Sequence, residues 1–165
     1  MRAITGQQLS TKAAATIFSR LVALMPDGVT PAAMSSLTDE QMRAVGMSRQ
    51  KIGYFRDLCD KASNGVVPLH ALDAMSDEEV IAALTAVKGI GRWSAEMFLM
   101  FRLHRPDVLP VDDLGIVKAV KNVYRLRKRP TAERIRKLGE AWRPYRSVAS
   151  WYLWRSLDNG DGQGG

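Results

Sequence analysis

The sequence predicts an all-α fold, and three observations support this class. Apolar residues recur at three- to four-residue spacing, as on the buried face of an amphipathic helix. No stretch alternates between apolar and polar residues in the way that a half-buried strand does. Glycines fall mostly at or near the ends of the helical stretches, where tight turns are needed. We therefore expect short helices joined by short loops.

The first helix is predicted from one apolar stripe, and the later ones also from their caps. The stripe consists of Leu9, Ala13, Ile17, Leu21 and Leu24, and the helix is expected to end near Pro26-Asp27-Gly28. Two capping boxes, Thr38 with Gln41 and Ser76 with Glu79, and a cap at Thr131 mark three further starts. The predicted helices span residues 7–25, 31–36, 39–45, 49–64, 77–86, 92–103, 113–124, 131–140 and 146–156.

The composition limits the domain organisation and the kinds of site. With 165 residues, of which 46% are hydrophobic, the chain can bury one ordinary core. We expect one domain of two helical lobes over residues 1–157 and a disordered tail at 158–165, which is rich in glycine and poor in apolar residues. The single Cys59 excludes a disulfide framework, a cysteine-ligated iron-sulfur cluster and a thiolate zinc site. No apolar run approaches the roughly 18 residues of a membrane span, so we expect no membrane partner.

Positive charge is concentrated towards the C-terminal end. The chain carries 24 Lys and Arg against 17 Asp and Glu, and residues 118–155 contain 12 of these cations but only 2 of the acids. A segment this one-sided is stabilised by a polyanion, of which nucleic acid is the commonest inside cells. A solvated basic surface is the alternative, and charge alone does not separate the two.

Residues 85–95 join two helical segments through Lys88-Gly89-Ile90-Gly91. The two glycines allow a sharp turn and a close approach to another surface. The amides of Gly89, Gly91 and Arg92 at the start of the next helix would suit a phosphate group. A tight helix-helix turn without a ligand explains the same pattern, and the glycines alone favour that alternative.

Four blocks together carry a resemblance to a known family. The turn between Val87 and Trp93-Ser94-Ala95 resembles the helix-hairpin-helix of a large DNA glycosylase superfamily, and Val108-Leu-Pro-Val-Asp-Asp-Leu-Gly115 resembles its Pro-Asp block. The opening Ile4–Ala14 and the closing Trp142–Trp154 are similar to the alkylated-base branch, the 3-methyladenine DNA glycosylase II enzymes. The resemblance covers about residues 3–156. It also implies at least one helix before Ile4, where only Met1-Arg2-Ala3 stand in this chain.

The resemblance implies a base excision enzyme and assigns roles to particular residues. Asp113 would be the catalytic carboxylate, although an N-cap of the following helix is the plain alternative. Asp112 would have a capping or supporting role. The base pocket would contain Trp93, Trp154 and Met97, although core packing is the usual role of a tryptophan. Trp93 stands where superfamily members that also cleave the DNA backbone have a lysine, so the enzyme would be monofunctional and leave an abasic site.

Further residues would bind DNA or an ion. In similar enzymes a side chain of the Gln-Gln-Leu-Ser loop fills the gap left by the flipped base, which points to Gln8 or Leu9, while hydrogen bonding to loop backbone is the alternative. The hairpin residues Lys88, Gly89, Gly91 and Arg92 would bind phosphate. So would Arg143, Arg146, Lys118, Lys121, Arg125, Arg127, Lys128 and Arg129. No cofactor is expected, apart from a structural Na⁺ or K⁺ on the main-chain carbonyls of Thr85, Val87 and Ile90.

Three other functions fit parts of the same pattern. A non-catalytic helix-hairpin-helix DNA-binding module would share the hairpin and the basic segment but would not need Asp113. A glycosylase of the same superfamily for another damaged base would share the hairpin and the basic segment. A structural helical protein would not bind DNA at all. The expected partner is duplex DNA containing alkylated bases, and we expect a monomer. The expected location is the cytoplasm and nucleoid in a bacterium, or the nucleus in a eukaryote.

Overall fold

The computed structural model describes residues 2–6 and 9–158, without the side chains of residues 2, 3 and 11. Within these ranges the secondary structure is entirely helical, with no strand, which confirms the predicted all-α class. The chain divides into two compact units, residues 1–92 and 93–165. No helix in the described ranges is long and apolar enough to cross a membrane.

The first unit contains six α-helices and one 3₁₀ turn among its described residues. They are α1 (Arg2–Gly6), α2 (Thr11–Ala23), α3 (Pro31–Ser36), α4 (Asp39–Ala44), α5 (Arg49–Ser63), the 3₁₀ turn Leu72–Ala74 and α6 (Asp77–Thr85). Both predicted capping boxes are present, Thr38 with Gln41 at α4 and Ser76 with Glu79 at α6. Each box satisfies amides that would otherwise lack a partner at the helix start.

Helix α5 is the centre of the first unit, since it packs against α1, α3 and α4. Its buried face presents Ile52, Phe55 and Cys59 to the core of this unit. The guanidinium of Arg56 donates hydrogen bonds to the carbonyls of Ser35, in the last turn of α3, and of Leu37, the C-cap of that helix. These contacts satisfy carbonyls that a helix end leaves open, and they fix α5 against α3.

Up to Asp158, where its described residues end, the second unit contains four α-helices and a 3₁₀ turn. They are α7 (Arg92–Phe101), α8 (Leu114–Val123), α9 (Ala132–Gly139), the 3₁₀ turn Glu140–Trp142 and α10 (Arg146–Asp158). Thr131 caps α9 as predicted, because its hydroxyl accepts a hydrogen bond from the amide of Arg134. Helices α8 and α10 pack closely, and the core between them includes the buried Ile116, Val120 and Leu153.

The prediction of the first helix was wrong at its start. The helix begins at Thr11, because Ser10 is its N-cap and accepts a hydrogen bond from the amide of Ala13. Leu9 therefore lies before the helix and is 40% exposed, so it is not part of the buried stripe. The separate short helix α1 was not predicted. At the other end, α10 includes Asp158, and the rest of the predicted tail lies outside the described residues.

Candidate active site

Asp113 is the N-cap of α8, at the end of the Pro-Asp segment. Its backbone is extended, with φ of −65° and ψ of 125°, and its Oδ1 accepts a hydrogen bond of 2.8 Å from the amide of Ile116. The capping role that the sequence offered as an alternative is therefore real. The neighbouring Asp112 is exposed and is not the cap of this helix.

Two tryptophans bind the same carboxylate. Nε1 of Trp154 donates to Oδ1 of Asp113 at 2.8 Å, and Nε1 of Trp93 donates to Oδ2 at 2.8 Å. Together with the amide of Ile116, three N–H groups converge on one carboxylate. Both oxygens are thereby fixed in direction at the N-terminus of α8. The sequence placed both tryptophans beside the base but did not predict that they bind Asp113.

Gly115 allows this arrangement to form. A Cβ atom at this position would lie 2.8 Å from Cδ1 of Trp154 and 3.0 Å from Oδ1 of Asp113. Both separations are shorter than ordinary van der Waals contact. The missing side chain of Gly115 is thus what lets the indole of Trp154 reach the carboxylate.

One face of α7 carries apolar side chains in line with Trp93. Residues 93, 97 and 101 are four apart, so Trp93, Met97 and Phe101 share a face of the helix. The ring centroid of Phe101 is 6.0 Å from that of Trp154, and Phe101 is 56% exposed. Sequence reasoning missed Phe101, although the same spacing that selected Met97 could have found it.

Leu114 is a second residue that the sequence did not single out. It follows Asp113 directly and is 70% exposed, while Trp93 is 50% exposed. Large apolar side chains at such exposure, next to a fixed carboxylate, form an accessible apolar surface. A flat apolar or aromatic ligand can contact this surface.

The hairpin between α6 and α7 contains a tight turn. The amide of Ile90 donates to the carbonyl of Val87 at 3.1 Å, and Gly89 lies at the third position with φ of 80°. This positive φ is what a type II turn requires and what glycine adopts without strain. Gly91 is exposed, and a Cβ atom there would meet nothing within 4 Å.

The predicted phosphate and ion ligands of the hairpin are in different environments. The side chain of Lys88 is exposed, whereas the guanidinium of Arg92 forms an ion pair of 2.7 Å with Glu78. Hydrogen bonds from Arg92 hold the pKa of Glu78 below its ordinary value. The carbonyl of Val87 accepts the hydrogen bond of the turn, and the ion site on the carbonyls of Thr85, Val87 and Ile90 stays a prediction. Among the described residues there is no cluster of three His, Cys, Asp or Glu that could hold a metal.

Arg143 and Arg146 both bind Asp107 in the loop before the Pro-Asp segment. Arg146 donates to both oxygens of Asp107, at 2.6 and 3.0 Å, and Arg143 forms a third ion pair of 2.8 Å. Burial of Asp107 raises its pKa, but the hydrogen bonds and charge of Arg146, with the charge of Arg143, outweigh this and leave the pKa below its ordinary value. The predicted role of both arginines at phosphate stays a prediction.

The other predicted DNA contacts are exposed. The structure places six cations on the surface of α8 and of the loop that follows it, namely Lys118, Lys121, Arg125, Arg127, Lys128 and Arg129. Within the described part of the chain none of the six forms an ion pair, so their charge is open to a polyanion. Leu9 is exposed in the bend before α2, while Gln8 lies outside the described residues.

Comparison with known proteins decides the family. Residues 1–144 match the family described as HhH-GPD superfamily base excision DNA repair protein. The chain belongs to this superfamily. The predicted resemblance is therefore confirmed. A curated member, DNA-3-methyladenine glycosylase 1 of Schizosaccharomyces pombe, is 40% identical over 159 residues, which cover 94% of this chain and 70% of the relative.

Two solved structures of HhH-GPD proteins show the same fold. A DNA-3-methyladenine glycosidase from Bacillus halodurans has a TM-score of 0.88 and 37% identity, covering 98% of this chain and 75% of that one. The S. pombe 3-methyladenine DNA glycosylase in complex with abasic DNA has a TM-score of 0.80 and 39% identity, covering 95% and 78%. The superfamily fold thus extends over nearly the whole of this chain.

Proposed function

We propose that this chain is a monofunctional DNA glycosylase that hydrolyses the N-glycosidic bond of alkylated bases in duplex DNA and leaves an abasic site. The observation that carries the proposal is the carboxylate of Asp113, whose oxygens accept N–H groups from Trp93, Trp154 and Ile116. The names of the relatives support the substrate class, since several are called DNA-3-methyladenine glycosylases.

The carboxylate stabilises the charge that develops on the sugar. As the glycosidic bond breaks, its electron pair leaves with the base and the deoxyribose becomes oxocarbenium-like. An ionised carboxylate beside this centre lowers the barrier, and its fixed position means that little reorganisation is needed at the moment of reaction. The same carboxylate can orient a water molecule that attacks the sugar carbon, and it can accept the proton that this water loses.

The tryptophans also supply the base pocket. A purine alkylated in the manner of 3-methyladenine carries positive charge, so the electron-rich face of an indole attracts it more than it attracts a neutral base. Trp93 and Trp154 provide such faces, and Met97 adds an adaptable apolar contact on α7. Selectivity then comes jointly from stacking and from the weakness of the damaged glycosidic bond.

Hydrolysis without strand cleavage follows from the residue at the hairpin. A lyase step needs an amine that attacks the sugar carbon to form a Schiff base. Trp93 has no such amine, and its ring nitrogen is directed at Asp113. The product is therefore an abasic site in an uncut strand.

Duplex DNA is the partner, and exposed cations supply the affinity. The hairpin binds backbone phosphate, and the exposed cations of α8 and its following loop add contacts that do not depend on sequence. Gln8 or Leu9, from the sequence Gln-Gln-Leu-Ser, fills the gap left by the flipped base. The reaction uses water and no cofactor, with Na⁺ or K⁺ as a structural ligand of the hairpin carbonyls. We further propose a monomer that acts wherever the genome lies, in the nucleoid or the nucleus.

Release of free base from methylated duplex DNA tests this function. The expected result is free 3-methyladenine, detected by chromatography, from methylated DNA and not from an unmethylated duplex of the same sequence. Binding of duplex without release of any base would indicate a DNA-binding module instead. If the chain neither binds the duplex nor releases a base, it is a structural helical protein.

A further inference from the structure

The side of the hairpin that faces α5 is occupied by two residues of that helix. Tyr54 and Asp57 are three residues apart, so they share a face of α5. Both contact the turn between α6 and α7, although more than thirty residues separate them from it in the sequence. Neither residue belongs to the motif blocks that identify the family.

Asp57 binds the second residue of the turn. Its Oδ2 accepts a hydrogen bond of 2.8 Å from the amide of Lys88 and one of 2.6 Å from Nζ of Lys61. The side chain of Asp57 is 14% exposed and that of Lys61 is 22% exposed, so water screens the pair weakly. The Lys61 ammonium, and next the Lys88 amide, hold the pKa of Asp57 below its ordinary value. Asp57 is therefore an ionised acceptor at neutral pH.

The ring of Tyr54 packs against the turn. A Cβ atom built on Gly89 would overlap the ring of Tyr54, so the glycine backbone lies directly on the ring. The ring is itself fixed, because Nε2 of Gln50 donates to the Tyr54 hydroxyl at 2.7 Å. The turn thus has a carboxylate bound to its second residue, Lys88, and an aromatic ring packed against its third, Gly89.

The negative charge of Asp57 affects how well the hairpin can bind a DNA phosphate. A bare carboxylate next to a turn that binds phosphate repels the phosphate, since both are negative and close. Lys61 removes that repulsion, because its ammonium lies 2.6 Å from Asp57. Lys61 can therefore favour DNA binding without a contact to DNA.

We propose that Asp57, Tyr54 and Lys61 are positioning residues that hold the hairpin in the shape and at the local charge needed to receive a DNA phosphate. The inference rests on the proposed function, because it assigns phosphate binding to the hairpin. It adds residues that contact the hairpin rather than the DNA. Their loss weakens binding of DNA and leaves the chemistry at Asp113 unchanged.

Four variants separate shape from charge, namely Asp57→Ala, Asp57→Asn, Lys61→Gln and the double change of Asp57→Asn with Lys61→Gln. Asp60→Asn is the matched control, since Asp60 is an exposed acid of the same helix whose side chain accepts a hydrogen bond from Asn64. The probes are a duplex with a tetrahydrofuran abasic analogue for the Kd and a methylated duplex for single-turnover base release at saturating enzyme.

Loss of shape and loss of charge give different results. Asp57→Ala removes the acceptor of the Lys88 amide, so we expect the Kd to rise about tenfold, as for one charge-assisted hydrogen bond. The single-turnover rate should stay within about twofold. Asp57→Asn keeps an oxygen for that amide and should restore most of the affinity. Lys61→Gln leaves the carboxylate unneutralised and should raise the Kd about three- to tenfold.

The double change decides between this account and a merely structural ion pair. With no charge on either residue, the Kd should return to within about twofold of the native value, although Lys61→Gln alone binds DNA weakly. Equal weakness of the double variant and Lys61→Gln would overturn the proposal. So would native affinity in Asp57→Ala. If Asp57→Ala does not fold, as judged by circular dichroism, the Lys61→Gln and double variants still give the answer.

The same experiment separates this inference from the function on which it rests. If the native chain neither binds the duplex nor releases base, the proposed function fails and the inference fails with it. If the native chain does both and the Asp57 and Lys61 variants match it, only the inference fails. The Asp60→Asn control should match the native chain in either case.

Discussion

The indole of Trp93 donates a hydrogen bond of 2.8 Å from Nε1 to Oδ2 of Asp113. Trp93 therefore has two functions in the proposed mechanism, since its face is available to a base while its edge fixes a carboxylate. Trp154 makes the equivalent bond to Oδ1. The carboxylate is held between the edges of two aromatic rings, and the following predictions depend on that geometry.

Trp93→Phe keeps an aromatic face and removes the donor to Oδ2. We expect the single-turnover rate of base release to fall about tenfold, because the carboxylate loses one of the groups that orient it. The Kd for duplex should change by less than about twofold. The measurement is single-turnover release from methylated DNA.

Trp151→Phe is the control for this change. Trp151 is 48% exposed, which is close to the 50% of Trp93, but its ring contacts Tyr152 rather than the carboxylate. It should release base at the native rate. A native rate in Trp93→Phe, or an equal loss in Trp151→Phe, would contradict the orienting role.

Gly115→Ala should separate stability from activity. Alanine is the better helix residue by roughly 0.5–1 kcal/mol, and Gly115 does not have a positive φ, so the backbone accepts the change. The new Cβ, however, would displace Trp154 from Asp113. We expect thermal stability close to the native value and base release reduced at least about tenfold.

Gly53→Ala is the matched control, because Gly53 lies inside α5 and a Cβ there meets nothing within 4 Å. It should match or exceed native stability and leave base release unchanged. An active Gly115→Ala variant would show that Trp154 is not needed at the carboxylate.

Arg146→Lys should lower the stability of the fold and leave the salt dependence of DNA binding nearly unchanged. A lysine cannot reproduce the two-point contact with Asp107, so we expect a loss of about 1–2 kcal/mol in the free energy of unfolding, measured with urea. The pKa of Asp107 is below its ordinary value of 3.8. The stabilisation is therefore full above pH 3.8 and is lost as the pH falls through the lower value of the folded state.

Salt dependence distinguishes this role from a phosphate contact. Lys128 is exposed and forms no ion pair within the described ranges, so Lys128→Ala should reduce the slope of log K against log salt by about 0.9. Arg146→Ala should leave that slope nearly unchanged. A reduction of the same size in Arg146→Ala would assign Arg146 to the phosphates, as the sequence predicted.

The product of the reaction should be an abasic site in an intact strand. Borohydride added during turnover should trap no covalent complex between protein and DNA, because Trp93 offers no amine to the sugar. Denaturing electrophoresis should show cleavage only after treatment with hot alkali. A trapped complex, or cleavage before alkali, would identify a lysine nucleophile.

The sequence predicted the features that depend on local spacing. The capping boxes at Thr38 and Ser76 are present because such a box involves only four consecutive residues. The Pro-Asp block and the hairpin were found because each is a short contiguous motif. The first helix was placed too early, since a hydrophobic stripe does not show that Ser10 caps the helix.

Contacts between distant residues could not be predicted. Arg146 and Asp107 are 39 residues apart, and Asp57 and Lys88 are 31 apart. Their pairing depends on how the helices pack, to which no local spacing refers. The same holds for Trp154, because the sequence placed it beside the base but did not show its ring edge directed at Asp113.

The most direct test of the account is Asp113→Asn, compared with the native chain at equal occupancy of methylated duplex. An amide cannot accept from both indoles, so its NH₂ should turn towards Trp93, while its oxygen keeps the bonds from Ile116 and Trp154. We predict native DNA affinity, a small loss of stability and base release at least about a thousandfold slower. Base release at the native rate by Asp113→Asn would contradict the central claim.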